Sequence, residues 1–110
     1  EALKAFLEAF AKGAKEAIAQ PAAAIASLKA KDGLVNTEVE IKRLQLTIDT
    51  AIDGPGAREE GFGQLRLPRL QLMAEQVAKA YGTKNPVPAN AVWNGSFLPP
   101  AAALDVLPKK

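Results

Sequence analysis

The chain has 110 residues with no cysteine and no histidine, a length that suits one domain of ordinary size. The two absences exclude disulfide frameworks, thiolate or imidazole metal sites, cysteine nucleophiles and a Ser-His triad. Net charge is only +2, and 22 of the residues are alanine while six are aromatic, which predicts a mainly α, tightly packed and rather flat assembly with a thin aliphatic core.

The sign of the charge changes along the chain. Residues 36–60 carry three basic and six acidic residues, whereas 61–110 carry six basic and two acidic. The nearest thing to a nucleic-acid footprint is Arg66 and Arg69, with Lys79 and Lys84 further on. Four cations among acidic neighbours, without interleaved aromatics, make a weak one, and no nucleic-acid partner is expected. No apolar run reaches the ~20 residues that span a bilayer, and no secretory leader pattern opens the chain. The first residue is Glu1 and a strong helical pattern begins at once, so an internal start, with any targeting segment upstream, is the expectation.

A first helix is predicted near 1–19. Leu3, Phe6, Leu7, Phe10, Ala14, Ala17 and Ile18 recur at steps of three and four on one face. Lys4, Glu8, Lys12, Lys15 and Glu16 fall mostly on the other side, and this mixture of signs suits a surface helix rather than a membrane-surface one. Gln20-Pro21 breaks the pattern. Pro21 can open a second helix, near 21–31, with Ile25 and Leu28 inward, Lys29 and Lys31 in the last turn, and Gly33 as a left-handed stop. The abrupt junction predicts a helical hairpin.

A third helix is predicted near 37–52, with Ile41, Leu44, Ile48 and Ile52 on one face, and Val39 and Leu46 widening it towards a second covering. Thr37 with Glu40 forms a capping box at its start, and Asn36 is the alternative cap. Asp53-Gly54-Pro55-Gly56 ends it, and Gly61-Phe62-Gly63 continues the loop. The glycines invite comparison with phosphate cradles. However, Phe62 and Gly63 stand where a P-loop needs Lys and Ser/Thr, and Arg66 stands at the third glycine of a dinucleotide fingerprint. A connector whose Phe62 tucks into a groove is the preferred reading. A fourth helix is predicted near 68–81, with Leu70, Met73, Val77 and Ala80 or Tyr81 inward, Met73 as gap-filling core, and Gly82 as the C′ residue.

Residues 82–110 carry five of the eight prolines together with Val87, Val92, Trp93, Phe97 and Leu98. Proline-rich yet hydrophobic, this stretch reads as an extended strap pressed on another surface, with Phe97 seated in a pocket and Leu107-Pro108-Lys109-Lys110 a frayed end.

Catalysis would have to rest on carboxylates, Lys, Tyr or Ser. Asp49 and Asp53 share a helical face, and Glu59 and Glu60 sit in the loop, all in the most polar stretch, where solvated carboxylates are expected. Ser96 follows Asn94-Gly95 but lacks the second glycine of a nucleophile elbow, and Tyr81 reads as core. No catalytic residue, metal ligand or cofactor is expected, and the protein reads as a non-enzyme.

In order along the chain stand the helix Phe6–Ile18, then Gln20-Pro21-Ala22-Ala23-Ala24-Ile25, then Glu38-Val39-Glu40-Ile41-Lys42-Arg43-Leu44. Gly61-Phe62-Gly63, Arg69-Leu70 and Ser96-Phe97-Leu98-Pro99-Pro100 follow. In this order and spacing the whole chain resembles the closing portion of periplasmic substrate-binding proteins of ABC importers, the class that handles thiamine-pyrimidine precursors, sulfonates and nitrate-like anions. Arg66-Leu67-Pro68 departs from it, since relatives often carry an acidic or Asn cap before the proline. The resemblance implies a two-lobed α/β parent of the type II periplasmic-binding fold, of which this is a C-terminal helical part bracing one lobe. It implies a periplasmic or extracytoplasmic location, and as partners the remainder of the parent chain, a small-molecule solute and a membrane permease. Solute would be held mostly by residues upstream, so no ligand-binding residue is carried over. The rival reading is a free-standing helical interaction module whose apolar grooves receive a partner helix.

Overall fold

The computed structural model describes residues 1–109. They are 71% helical and, among the described residues, contain no strand. The helices are α1 (Ala2–Ala19), α2 (Pro21–Lys31), α3 (Thr37–Thr47), α4 (Pro55–Glu60), α5 (Leu67–Tyr81), α6 (Ala89–Val92) and α7 (Ala101–Leu104). A π turn over Ile48–Ile52 continues α3, and a 3₁₀ turn over Gly95–Phe97 follows α6. α1 packs on α2, and α2 on α3. α7 and the 3₁₀ turn return to α1, while α5 packs on α6.

The first two junctions follow from chain chemistry. Pro21 occupies the first turn of α2, where a missing N–H costs nothing. α2 stops differently from expectation: Gly33 is not left-handed, the only positive-φ glycines among the described residues being Gly61, Gly63 and Gly82. Instead Asp32 turns the chain by accepting from the Leu34 N–H at 2.9 Å. Lys29 Nζ then donates to the Gly33 and Val35 carbonyls at 2.7 and 2.8 Å, satisfying acceptors beyond the helix end. At the start of α3 the cap is Asn36, whose side chain accepts from the Val39 N–H at 3.2 Å. Glu40 pairs with Arg43 at 2.8 Å rather than closing a box on Thr37.

The third helix does not stay α to residue 52. Thr47 and Thr50 hydroxyls donate to the Arg43 and Leu46 carbonyls at 3.0 and 2.7 Å, competing with the ladder. The backbone widens into a π turn closed by Asp53 N–H on Ile48 C=O at 2.7 Å. Asp53 then adopts φ −78° and ψ 73°, an inverse γ-turn closed by Gly54 N–H on Ile52 C=O at 2.9 Å.

The glycine-rich loop is not wholly a loop. Pro55 has its φ preset for a first helical turn, and Ala57, Arg58, Glu59 and Glu60 accept helix, so α4 forms there. Gly61 ends it at φ +106°, a conformation that side chains rarely adopt. Here the chain comes close to another segment. A Cβ on Gly61 would lie 2.9 Å from Leu104 Cβ, and the Phe62 N–H donates to the Leu104 carbonyl at 2.8 Å. Phe62 is half-buried and stacks on Phe10 of α1, centroids 6.3 Å apart, as the tucked-in reading expected.

The C-terminal stretch is likewise less extended than expected, because α6, the 3₁₀ turn and α7 interrupt it. Pro88 and Pro100 each sit just before a helical turn, where proline's lack of an N–H does no harm. Phe97 stays 40% exposed, while the half-buried Leu98 and the buried Pro99 take the inward positions. Asp105, at φ −80° and ψ 76°, makes a second inverse γ-turn, closed by Val106 N–H on Leu104 C=O at 3.0 Å. It turns Leu104, Val106 and Leu107 inward, with Leu104 only 2% exposed. Leu107 is thus core, not a frayed end; Lys110 lies outside the described residues.

Two tests follow from the close approach at Gly61. Gly61→Ala carries both a steric overlap and a strained φ, and it destabilises the clasp by about 1–3 kcal/mol. Amide hydrogen exchange at Phe62 accelerates at least roughly fivefold. By contrast, Gly13 lies inside α1 with nothing within 4 Å of an added Cβ, and Gly13→Ala slows exchange across α1, consistent with a gain of about 0.5–1 kcal/mol.

Candidate functional site

The carboxylates that could have formed an acid–base pair are dispersed and engaged by other side chains. Asp49 accepts from Gln45 Nε2 at 2.8 Å. Asp53, beyond the π turn, receives the Arg58 guanidinium, with Arg58 Nη2 to Asp53 Oδ2 at 2.6 Å. Glu59 and Glu60, in the last turn of α4, both receive Arg66. That pairing offsets the unfavourable placement of two acids at a helix C-terminus. Hydrogen bonding to Asp53 holds the Arg58 guanidinium above its ordinary pKa, opposed by burial. Hydrogen bonds to Glu59 and then Glu60 raise that of Arg66.

These pairs have a structural reach. Arg58 Nη1 also donates to the Pro108 carbonyl at 3.2 Å, so one guanidinium ties α4 to the chain end beside the buried Leu107. Arg66 joins its own N-terminal flank of α5 to the end of α4. It is thereby removed from any basic cluster with Arg69, Lys79 and Lys84. Ser96 is exposed, and its N–H donates to Asn94 Oδ1 at 3.0 Å, a turn-forming role. Among the described residues no group of His, Cys, Asp or Glu is arranged to hold a metal ion, and no helix is long and apolar enough to cross a membrane.

What the chain does present is uncovered apolar surface. On α5 only one edge of the expected stripe is covered: Ala78 is buried and Leu70 and Ala74 are half-buried. Met73 and Val77 are about half exposed and Tyr81 is 81% exposed, so neither Met73 nor Tyr81 is core. α6 is too short to cover a helix of fifteen residues. A groove of about 370 Å³ remains between Leu70, Met73 and Val77 on one wall and Pro86, Val87 and Val92 on the other.

A second uncovered face runs along α1. Ala11 is buried and Leu7, Ala14, Ala17 and Ile18 are half-buried against the interior. Leu3, Phe6 and Phe10 point largely to solvent, Phe6 being 63% exposed. Phe6 and Phe10 lie 6.4 Å apart between centroids, and Phe62 continues the row. Val39 and Leu46 on α3 are also exposed, so the second covering expected for that helix is missing.

The total area shows how far this departs from a closed globule. The chain exposes 8214 Å², against about 5,800 Å² for a compact monomer of its mass. Its radius of gyration is 17.1 Å, with extents of 49 × 31 × 31 Å, against about 13 Å for a compact chain of this length. Both apolar faces, on α1 and on α5, are left open to solvent.

Arg58→Met frees the chain end without disturbing α1 or α5, and limited proteolysis reads this as severalfold faster cleavage after Lys109 or near Leu107. Asp49→Asn leaves the cleavage pattern unchanged. Because both arginine pKa values are raised, neither guanidinium loses its charge anywhere near neutral pH. Protection of the chain end is therefore flat across neutral pH and falls with added salt instead. Comparison with protein families, curated proteins and solved structures finds no match to this chain.

Proposed function

We propose that this chain is a structural part of an extracytoplasmic solute-binding protein serving an ABC importer, one that braces a lobe and contributes no catalysis. The observation that carries the reading is the surplus of about 2,400 Å² of accessible surface over a compact monomer. Part of the exposed surface is apolar and forms a face on α1 and another on α5. A body that covers both must be larger than a single docked helix. We read that body as the remainder of a two-lobed parent, as the ordered resemblance of the sequence to the closing portion of such proteins implies. In this reading solute is captured between the lobes, lobe closure follows, and the closed form docks on a permease.

A free-standing interaction module is the second reading, favoured by the α5 groove alone, whose apolar lining suits one amphipathic helix. Substitutions separate the two. Val77→Lys together with Phe6→Lys blocks both faces. The parent reading predicts that the pair lowers dye-detected hydrophobic surface in the isolated chain yet abolishes soluble expression of the whole reading-frame product. A module loses only partner binding.

The functional test is calorimetric titration of the whole reading-frame product with a pyrimidine precursor, an alkanesulfonate and nitrate. Saturable binding of one of them supports the assignment. A reading frame beginning at residue 1, with no binding of any of the three, overturns it.

A further inference from the structure

Asn94-Gly95 stands apart from the other three asparagines of the chain in the backbone nitrogen that follows it. Asn85 precedes Pro86, which has no N–H to react. Asn90 lies within α6, where the Ala91 N–H is engaged by the Pro88 carbonyl at 2.9 Å. Asn36 precedes Thr37, a branched residue that crowds its own nitrogen, and its side chain caps α3. Asn94 is exposed and is followed by a glycine, which leaves the nitrogen uncovered by any Cβ. Its Oδ1 accepts the Ser96 N–H at 3.0 Å, which draws electrons from Cγ and makes that carbon more electrophilic.

From this geometry we propose that Asn94 is a site of spontaneous deamidation that loosens the C-terminal strap. The Gly95 nitrogen, deprotonated by base, attacks Asn94 Cγ. The new N–Cγ bond forms, the Cγ–Nδ2 bond breaks, and ammonia leaves with the proton. Water then opens the five-membered imide. Attack at Cγ restores the ordinary backbone with aspartate. Attack at the backbone carbonyl breaks its bond to the Gly95 nitrogen and leaves isoaspartate, with the chain running through Cβ.

The two products differ in consequence. Aspartate keeps the acceptor that closes the turn on Ser96. Isoaspartate inserts a methylene immediately before the 3₁₀ turn closed by Leu98 N–H on Gly95 C=O at 3.0 Å, the turn that packs on α1. The Trp93 indole lies over this point, its Nε1 being 3.3 Å from a Cβ built on Gly95, so the change is reported by the only tryptophan in the chain.

The experiment holds the full 110-residue chain in mildly alkaline buffer at body temperature. It follows peptides by mass spectrometry, isoaspartate by enzymatic methyl labelling, and Trp93 by fluorescence. The expected result is amide loss at Asn94 severalfold faster than at Asn36, Asn85 or Asn90, rising with pH. Emission shifts to the red in step with the isoaspartate fraction. Asn94→Gln, which keeps Gly95, abolishes the labelling and the shift; Asn94→Asp, whose ionised carboxylate cyclises far more slowly at alkaline pH, shows both only much later. Either of two results overturns the proposal: Asn94 stays amidated in the folded chain while the urea-unfolded chain loses it, or isoaspartate accumulates with no change at Trp93.

Discussion

The closure of the chain turns on the approach of Gly61 to Leu104. A Cβ at position 61 would lie 2.9 Å from Leu104 Cβ, so a residue without one fits there, and such a residue also holds φ +106° without strain. That approach lets the Phe62 N–H reach the Leu104 carbonyl, which aims Phe62 at Phe10 on α1. From the other side, the γ-turn at Asp105 delivers Leu104, Val106 and Leu107 to the same place. Burying Leu104 contributes about 1.5–3 kcal/mol, a large share of what so thin a core can supply. The Arg58 bridge from Asp53 to Pro108 lies alongside and holds the chain end against α4.

Everything outside that clasp is open on one side. Alanine explains why. Ala11, Ala78 and Ala89 occupy three of the eight buried apolar positions, and each removes little area from water, so helices approach closely without accumulating a deep core. The bulky side chains that would form such a core, Phe6, Phe10, Met73, Val77 and Tyr81, point outward in two separate rows. An apolar face left open in this way is costly in water. The two rows lie on helices that do not pack substantially on each other, so one flat partner patch does not serve both.

How much of this was legible in the sequence depended on the range of the interactions involved. Pro21 opening a helix and Gly82 ending one, at φ 65°, are local chemistry and read directly. The stripes of α1 and α5 were also visible. Which edge of each stripe is covered was not, because Tyr81 and Ala78 satisfy the same periodicity and only the tertiary partner distinguishes them. α4 was hidden by Gly54, Gly56 and Gly61, whose punctuation outweighed the helix-forming Ala57–Glu60. The burial of Leu107 was obscured by Pro108 and two lysines. The Gly61–Leu104 pair is separated by more than forty residues, and no local pattern announces it. For the carboxylates, composition correctly located the polar stretch, yet pairing of Asp53 with Arg58 and of Glu59 and Glu60 with Arg66 required the fold.

The central claim is that these helices complete their packing only against a larger body. Urea unfolding of the isolated chain, followed in parallel by far-UV circular dichroism and Trp93 fluorescence, tests it most directly. If the claim holds, the two transitions do not coincide, and both are shallower than the roughly 1 kcal/mol/M or more expected for a cooperative domain. A single steep transition, superimposable by both probes and independent of protein concentration, would contradict it.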